Sequence, residues 1–222
     1  MKTSPMNDVR AASSRRRLVL SLAALAVGAG LAMHRSQAAN GAALGAAAPE
    51  FAATTADGKL LSLSSLRGKT VVLEWTNHDC PYVRKHYRSG NIPQLQKDAA
   101  AQGVVWLQVI SSAPGSQGHV DGPTAMRLNR ERGATPHATL LDPQGQLGRR
   151  YGARTTPQLF VIAPSGQLVY AGGIDSISSA RDEDIAQAVP YVRQALGELA
   201  AGKPVSQPST RAYGCSVKYA DG

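Results

Sequence analysis

Residues 71–75, Val-Val-Leu-Glu-Trp, form a β-type run that stops at a polar turn, and Cys80 follows at once with Pro81 behind it. A buried strand that runs so quickly into a helix start points to an α/β layer arrangement, and the rest of the chain keeps that alternation. Residues 51–69 read as two short strands around the turn at Asp57 and Gly58, then a loop. A helix is expected from near Cys80 towards Ala101, interrupted at Ser89 and Gly90 and restarting at Asn91, Ile92 and Pro93, since proline suits a first turn. A second buried strand is expected over 103–111, a long loop after it, a short helix ending at Gly133, and a third strand over 137–142. A short helix between Gly145 and Gly152 then leads to two strands joined at Pro164, Ser165 and Gly166, a hairpin signal. Ile185, Val189, Val192, Leu196 and Leu199 recur on one helical face, with Pro190 marking either a kink or the true start. The pattern predicts an α/β fold: a mixed central sheet flanked by helices, with an N-terminal β-hairpin extension.

The N-terminus has to be set aside before charge is read. Arg15, Arg16 and Arg17 precede an apolar run over 18–32, shorter than the roughly 20 residues a spanning helix needs. Ser36, Gln37 and Ala38 follow with signal-peptidase spacing, so residues 1–38 are expected to be an export signal, and Ser14 to Leu18 has the look of the twin-arginine type. An uncleaved membrane anchor is the competing reading. This segment carries six bases and one acid, so it holds +5 of the formal net charge of +9. The remainder is near +4 with its bases interspersed among acids, which argues against nucleic acid as a partner. Residues 39–48 read as a mobile Ala/Gly tether, 49–203 as the single domain, and 204–222 as an irregular tail carrying Cys215.

The chain has two cysteines, Cys80 and Cys215. One pair is too few for a disulfide scaffold, so their role is expected to be chemical. Cys80 is placed in the first turn of a helix, where backbone N–H groups and the helix dipole favour a thiolate, and Arg84, Lys85 and His86 are expected to add positive charge. Against this stands a small buried core thiol, although Asn77, His78, Asp79 and Pro81 around it are not core residues. Thr156–Pro157 lies just before a strand. A cis proline there would expose the Thr156 backbone to a bound thiol or peptide; a trans proline opening an edge strand is the plainer alternative, and spacing leaves both open.

Five segments together resemble the thioredoxin-like redoxins, and among them the exported peroxiredoxin-like proteins grouped with alkyl hydroperoxide reductases and thiol-specific antioxidants. They are APEF (48–51), DGKLLSLSSLRGKTVVLEW (57–75), NHDCPYVRKHY (77–87), TTPQLFVI (155–162) and GCSVKY (214–219). The resemblance implies a thioredoxin-like fold, Cys80 at the nucleophilic position and Pro157 as the cis proline facing it. Two departures stand out. Val83 occupies the position of a second CxxC cysteine, and Asn77 the position of a peroxiredoxin's Thr or Ser, with Thr76 one place earlier.

The expected activity is therefore a thiol-dependent oxidoreductase with peroxiredoxin-like antioxidant chemistry, in the periplasm or otherwise exported. Cys80 would attack a peroxide or a protein disulfide, and Cys215 is the candidate resolving thiol, with a lone surface thiol or a static disulfide partner as its other readings. Thr156, Pro157 and Arg154 are supporting candidates, Arg154 either near the thiolate or solvated. No cofactor is implied; an external dithiol would supply electrons, and the membrane enters only through the export signal. The rival reading is a non-catalytic module that binds a protein or a soft metal such as copper through His78, Cys80 and His86.

Overall fold

The computed structural model describes residues 41–220, so the expected export segment lies outside the described residues. The described part is built on a seven-stranded mixed sheet in the order β2-β1-β5-β4-β3-β7-β8. Its strands are β1 (Ala52–Thr55), β2 (Leu60–Ser62), β3 (Val71–Trp75), β4 (Val105–Ile110), β5 (Ala138–Leu141), β7 (Gln158–Ile162) and β8 (Leu168–Gly172). The two-residue β6 (Thr155–Thr156) pairs instead with β9 (Cys215–Ser216). Strands β3, β4 and β5 run parallel, which demands crossovers. These are supplied by α1 (Pro81–Arg88) with α2 (Asn91–Ala101), and by α3 (Gly122–Glu131). The β1–β2 hairpin is the N-terminal extension and joins the sheet antiparallel to β5.

Both faces of the sheet are covered. Every residue of β3 is buried, with Val71, Leu73 and Trp75 on one face and Val72 on the other. The first face packs against Leu147 and Tyr151 of α4 (Gln146–Tyr151), where the Trp75 and Phe160 rings meet edge-on at 5.1 Å. The second face packs against Val83 and Tyr87 of α1, Ile92 and Leu95 of α2, and Val192 and Leu196 of α5 (Tyr191–Ala200). Each such side chain removed from water contributes about 1.5–3 kcal/mol.

Two expectations change and one open choice resolves. The segment read as a mobile tether is docked from Ala42 onward: Gly45 N–H donates to Leu168 O at 2.8 Å and Ala48 N–H to Gly166 O at 2.9 Å. A sheet edge presents unpaired backbone groups, and this segment takes them up. The last helix begins after Pro190; residues Asp182–Gln187 form a separate 3-10 turn, and Val189 is 43% exposed. The tail is not free either. Ala171 N–H donates to Pro208 O, Val217 N–H to Arg154 O, and Ala113 N–H to Lys218 O. Among the described residues, no helix is long and apolar enough to cross a membrane.

Candidate active site

Cys80 sits one residue earlier than expected, at the N-cap of α1, with Pro81 as the first helical residue. Proline has no N–H to offer, and the Cys80 side chain makes no capping bond. Instead the thiol donates to the Thr156 carbonyl at 3.1 Å, and the sulfur is fully buried. The loop before it is pinned: Cys80 N–H donates to Asn77 O, and the Asn77 side chain accepts from Asp79 N–H and donates to Gln117 O. Gly118 has φ +85° and lies so close that a side chain there would overlap the Asn77 amide. Asn77 thus serves as a loop anchor. Thr76 is buried too, and its hydroxyl has no hydrogen-bond partner among the described residues.

The peptide between Thr156 and Pro157 is cis. Thr156 is paired antiparallel with Cys215, and its hydroxyl donates to Cys215 O at 3.5 Å. Gly214, at φ +127°, presses against the Thr156 carbonyl; a Cβ there would lie 2.8 Å from the carbonyl carbon and closer still to the oxygen. Both cysteines are free thiols. Cys215 is half-buried, and burial first, then the hydrogen-bonding contact with the Cys80 sulfur, pushes its thiol up to about 12. Two residues 135 apart in sequence are therefore both brought to Thr156, Cys80 through its thiol and Cys215 through strand pairing. That convergence is what the sequence left open.

The other candidates are placed differently. Arg154 is exposed, and it is its backbone that bonds, to Gln158 and Val217; its side chain has no hydrogen bond or ion pair among the described residues. Lys85 and His86 do not lend their charge to the sulfur as expected. They turn inward, fully buried, against Tyr213 and Asp175. Both His86 ring nitrogens are engaged, Nδ1 accepting from Asn91 at 2.8 Å and Nε2 donating to Tyr213 at 3.3 Å, so His86 has no lone pair for a metal shared with Cys80. His78 faces Asp79 at 3.4 Å. Among the described residues no three His, Cys, Asp or Glu side chains form a metal-binding group.

A second buried network went unread. Glu74, in the middle of β3, accepts from Tyr87 OH at 2.6 Å, Trp106 Nε1 at 2.7 Å and Gln96 Nε2 at 3.3 Å. Burial raises its carboxyl despite these bonds. The glutamate inside an otherwise apolar strand was the available signal. A cleft of about 460 Å³ between α1 and α3 is lined by His78, Arg84, Tyr87, Leu128 and Arg132 and contains neither cysteine.

Known proteins resemble the chain in sequence family and in fold. The family model described as the AhpC/TSA family matches residues 44–171, more than half of the chain. The structure is similar to that of a hypothetical protein from Sinorhizobium meliloti 1021, with TM-score 0.69, 22% identity and coverage of 82% of this chain and 98% of that one. It is likewise similar to an uncharacterized conserved protein from Geobacillus kaustophilus, with TM-score 0.71, 24% identity and coverage of 82% and 95%. No curated protein matches the chain.

Proposed function

The chain belongs to the AhpC/TSA family, and on that premise we propose that it is a two-cysteine, peroxiredoxin-like thiol oxidoreductase. The observation that carries this reading is the convergence of both cysteines on Thr156, whose carbonyl accepts the Cys80 thiol and which pairs in register with Cys215. Cys80 is the nucleophile. Its sulfur attacks one peroxide oxygen, the O–O bond breaks, and the products are a Cys80 sulfenic acid and an alcohol or water. The Cys215 sulfur then attacks the Cys80 sulfur; hydroxide leaves, takes the Cys215 proton as water, and a Cys80–Cys215 disulfide remains. An external dithiol returns both thiols and is itself oxidised to a disulfide.

Exposure supports an order for these events. Cys80 is fully buried and Cys215 only half-buried, so a small peroxide suits Cys80 better than a folded protein disulfide does. For the same reason the reducing dithiol attacks the Cys215 sulfur, and Cys80 leaves as the thiolate. Thr156 and Pro157 are supporting residues that shape the surface both sulfurs meet. We also propose export to the periplasm, on the basic, apolar and small-residue order of residues 1–38.

Single-turnover oxidation with stoichiometric hydrogen peroxide tests the cycle. Cys80→Ser should abolish turnover, and Cys215→Ser should leave a trappable sulfenic acid on Cys80. The parent protein should instead lose both thiols to a disulfide that stays monomeric on non-reducing electrophoresis. A Cys215→Ser variant that cycles as fast as the parent would replace this mechanism with a one-cysteine one.

A further inference from the structure

Four polar side chains with no assigned role lie together beneath the start of the tail. Lys85 and His86 are fully buried, Asp175 is 3% exposed and Tyr213 7%. The Tyr213 hydroxyl is their centre. It donates to Asp175 Oδ1, accepts from Lys85 Nζ at 3.4 Å and accepts from His86 Nε2 at 3.3 Å. The donor role of Nε2 follows from Nδ1, which already accepts from Asn91. Lys85 Nζ is 3.7 Å from Asp175 Oδ2, an oxygen with no hydrogen-bond partner among the described residues. The ring itself packs edge-on to Tyr82, with 5.8 Å between centroids.

An apolar core at this place would serve packing at least as well, because charges taken out of water cost several kcal/mol each. What the polar cluster adds is a fixed address. Lys85 and His86 ride on the helix that Cys80 caps, and Tyr213 is two residues before Cys215. Three consecutive residues are thus held separately: Tyr213 by the cluster, Gly214 against the cis peptide, and Cys215 opposite Thr156.

We propose that Tyr213 is a positioning residue for disulfide closure, its hydroxyl latching the tail to α1 so that the Cys215 sulfur stays against Cys80. This rests on the two-cysteine reading and adds to it the group that sets the speed of the second step. The bond chemistry is unchanged: sulfenic acid and thiol condense to disulfide and water. The latch acts through geometry, since a fixed thiol far outperforms one on a loose tether, whose effective concentration is only in the millimolar range.

The test separates the two steps. After stoichiometric hydrogen peroxide, sulfenic acid is trapped with dimedone and closure is followed by loss of free thiol, in the parent, Tyr213→Phe, Asp175→Asn and Cys215→Ser. Tyr213→Phe keeps the ring and removes only the hydroxyl. Closure should slow at least about tenfold relative to Cys80 oxidation in Tyr213→Phe and in Asp175→Asn, with sulfenic acid accumulating. A general loss of packing would not change the ratio of the two steps. Closure at the parental ratio in both variants, with sulfenic acid still trapped in Cys215→Ser, overturns the latch alone. Parental cycling by Cys215→Ser overturns the two-cysteine reading and the latch with it. Should Tyr213→Phe fail to fold, Asp175→Asn carries the same comparison.

Discussion

Thr156 stands opposite Cys215 across the β6–β9 pair, and the carbonyl of that same threonine receives the Cys80 thiol at 3.1 Å. One residue, Thr156, therefore positions both cysteines. Anything that pushes the tail off this carbonyl should uncover Cys80 and separate it from its partner.

Gly214→Ala is the most direct way to do so. The new methyl would collide with Thr156 O, and the φ of +127° suits only glycine. The expected result is a loss of about 2 kcal/mol or more in stability. Cys80 alkylation by iodoacetamide, mapped by mass spectrometry, should become faster than in the parent. Unchanged protection of Cys80 would mean that the tail does not shield it.

The Cys215 thiol, pushed up to about 12, should resist alkylation until the pH is far above the ordinary thiol range of about 8.5. Its raised value favours the protonated folded state. That stabilising share is present below the unfolded thiol's range and is lost as pH rises towards 12. Cys80→Ala removes one of the causes and should lower the alkylation midpoint of Cys215. A midpoint near 8.5 in the reduced parent would contradict the contact.

His86 works in the opposite pH range. Burial, and next the charge of Lys85, push its imidazole down to about 3. A depressed value means that the unfolded chain binds the proton first. Stability is therefore intact above about 6.5 and falls as pH drops towards 3, by on the order of a few kcal/mol. Urea unfolding of His86→Gln across this range should show a flatter acid limb than the parent. An equally steep limb would assign the acid sensitivity to other groups.

Glu74→Ala should destabilise by roughly 2–4 kcal/mol, because it leaves Tyr87 OH and Trp106 N–H without their buried acceptor. Glu74→Gln keeps an acceptor oxygen in place and should cost less. Thermal unfolding of the two variants ranks them, and a reversed order would show that the charge rather than the hydrogen bonds matters there.

Export is checked by changing Arg15, Arg16 and Arg17 together to lysine. Cell fractionation should then find the protein retained in the cytoplasm; unchanged delivery to the periplasm would remove the twin-arginine route.

Local pattern carried the sheet and the helices because each is written in neighbouring residues. The buried run over 71–75, the helix opening at Cys80 and the hairpin turn at Ser165 and Gly166 need no distant partner to be recognised. The tail was unreadable for the converse reason. Residues 214–219 contain no periodic apolar face, and their order comes from Thr155 and Thr156, some 60 residues earlier. Lys85 and His86 read as charges lent to Cys80, since the groups that draw them inward, Asp175 and Tyr213, are about 90 and 128 residues away. Proline at 190 left two possible helix starts, and only packing of Val192 and Leu196 against the sheet chose between them.

The order of synthesis gives the Thr156–Cys215 pairing a consequence for the newborn chain. Residue 215 leaves the ribosome after every strand of the seven-stranded sheet has been made. Closing so large a loop is slow and depends on the rest being folded. Until then Cys80 has no second cysteine in its own chain to pair with, and a chain that stops before Cys215 never acquires one. Under the proposed cycle, chains that reach Cys215 consume their own sulfenic acid and shorter ones must hand it to another thiol, so a mixed disulfide at Cys80 would mark a molecule whose translation stopped short.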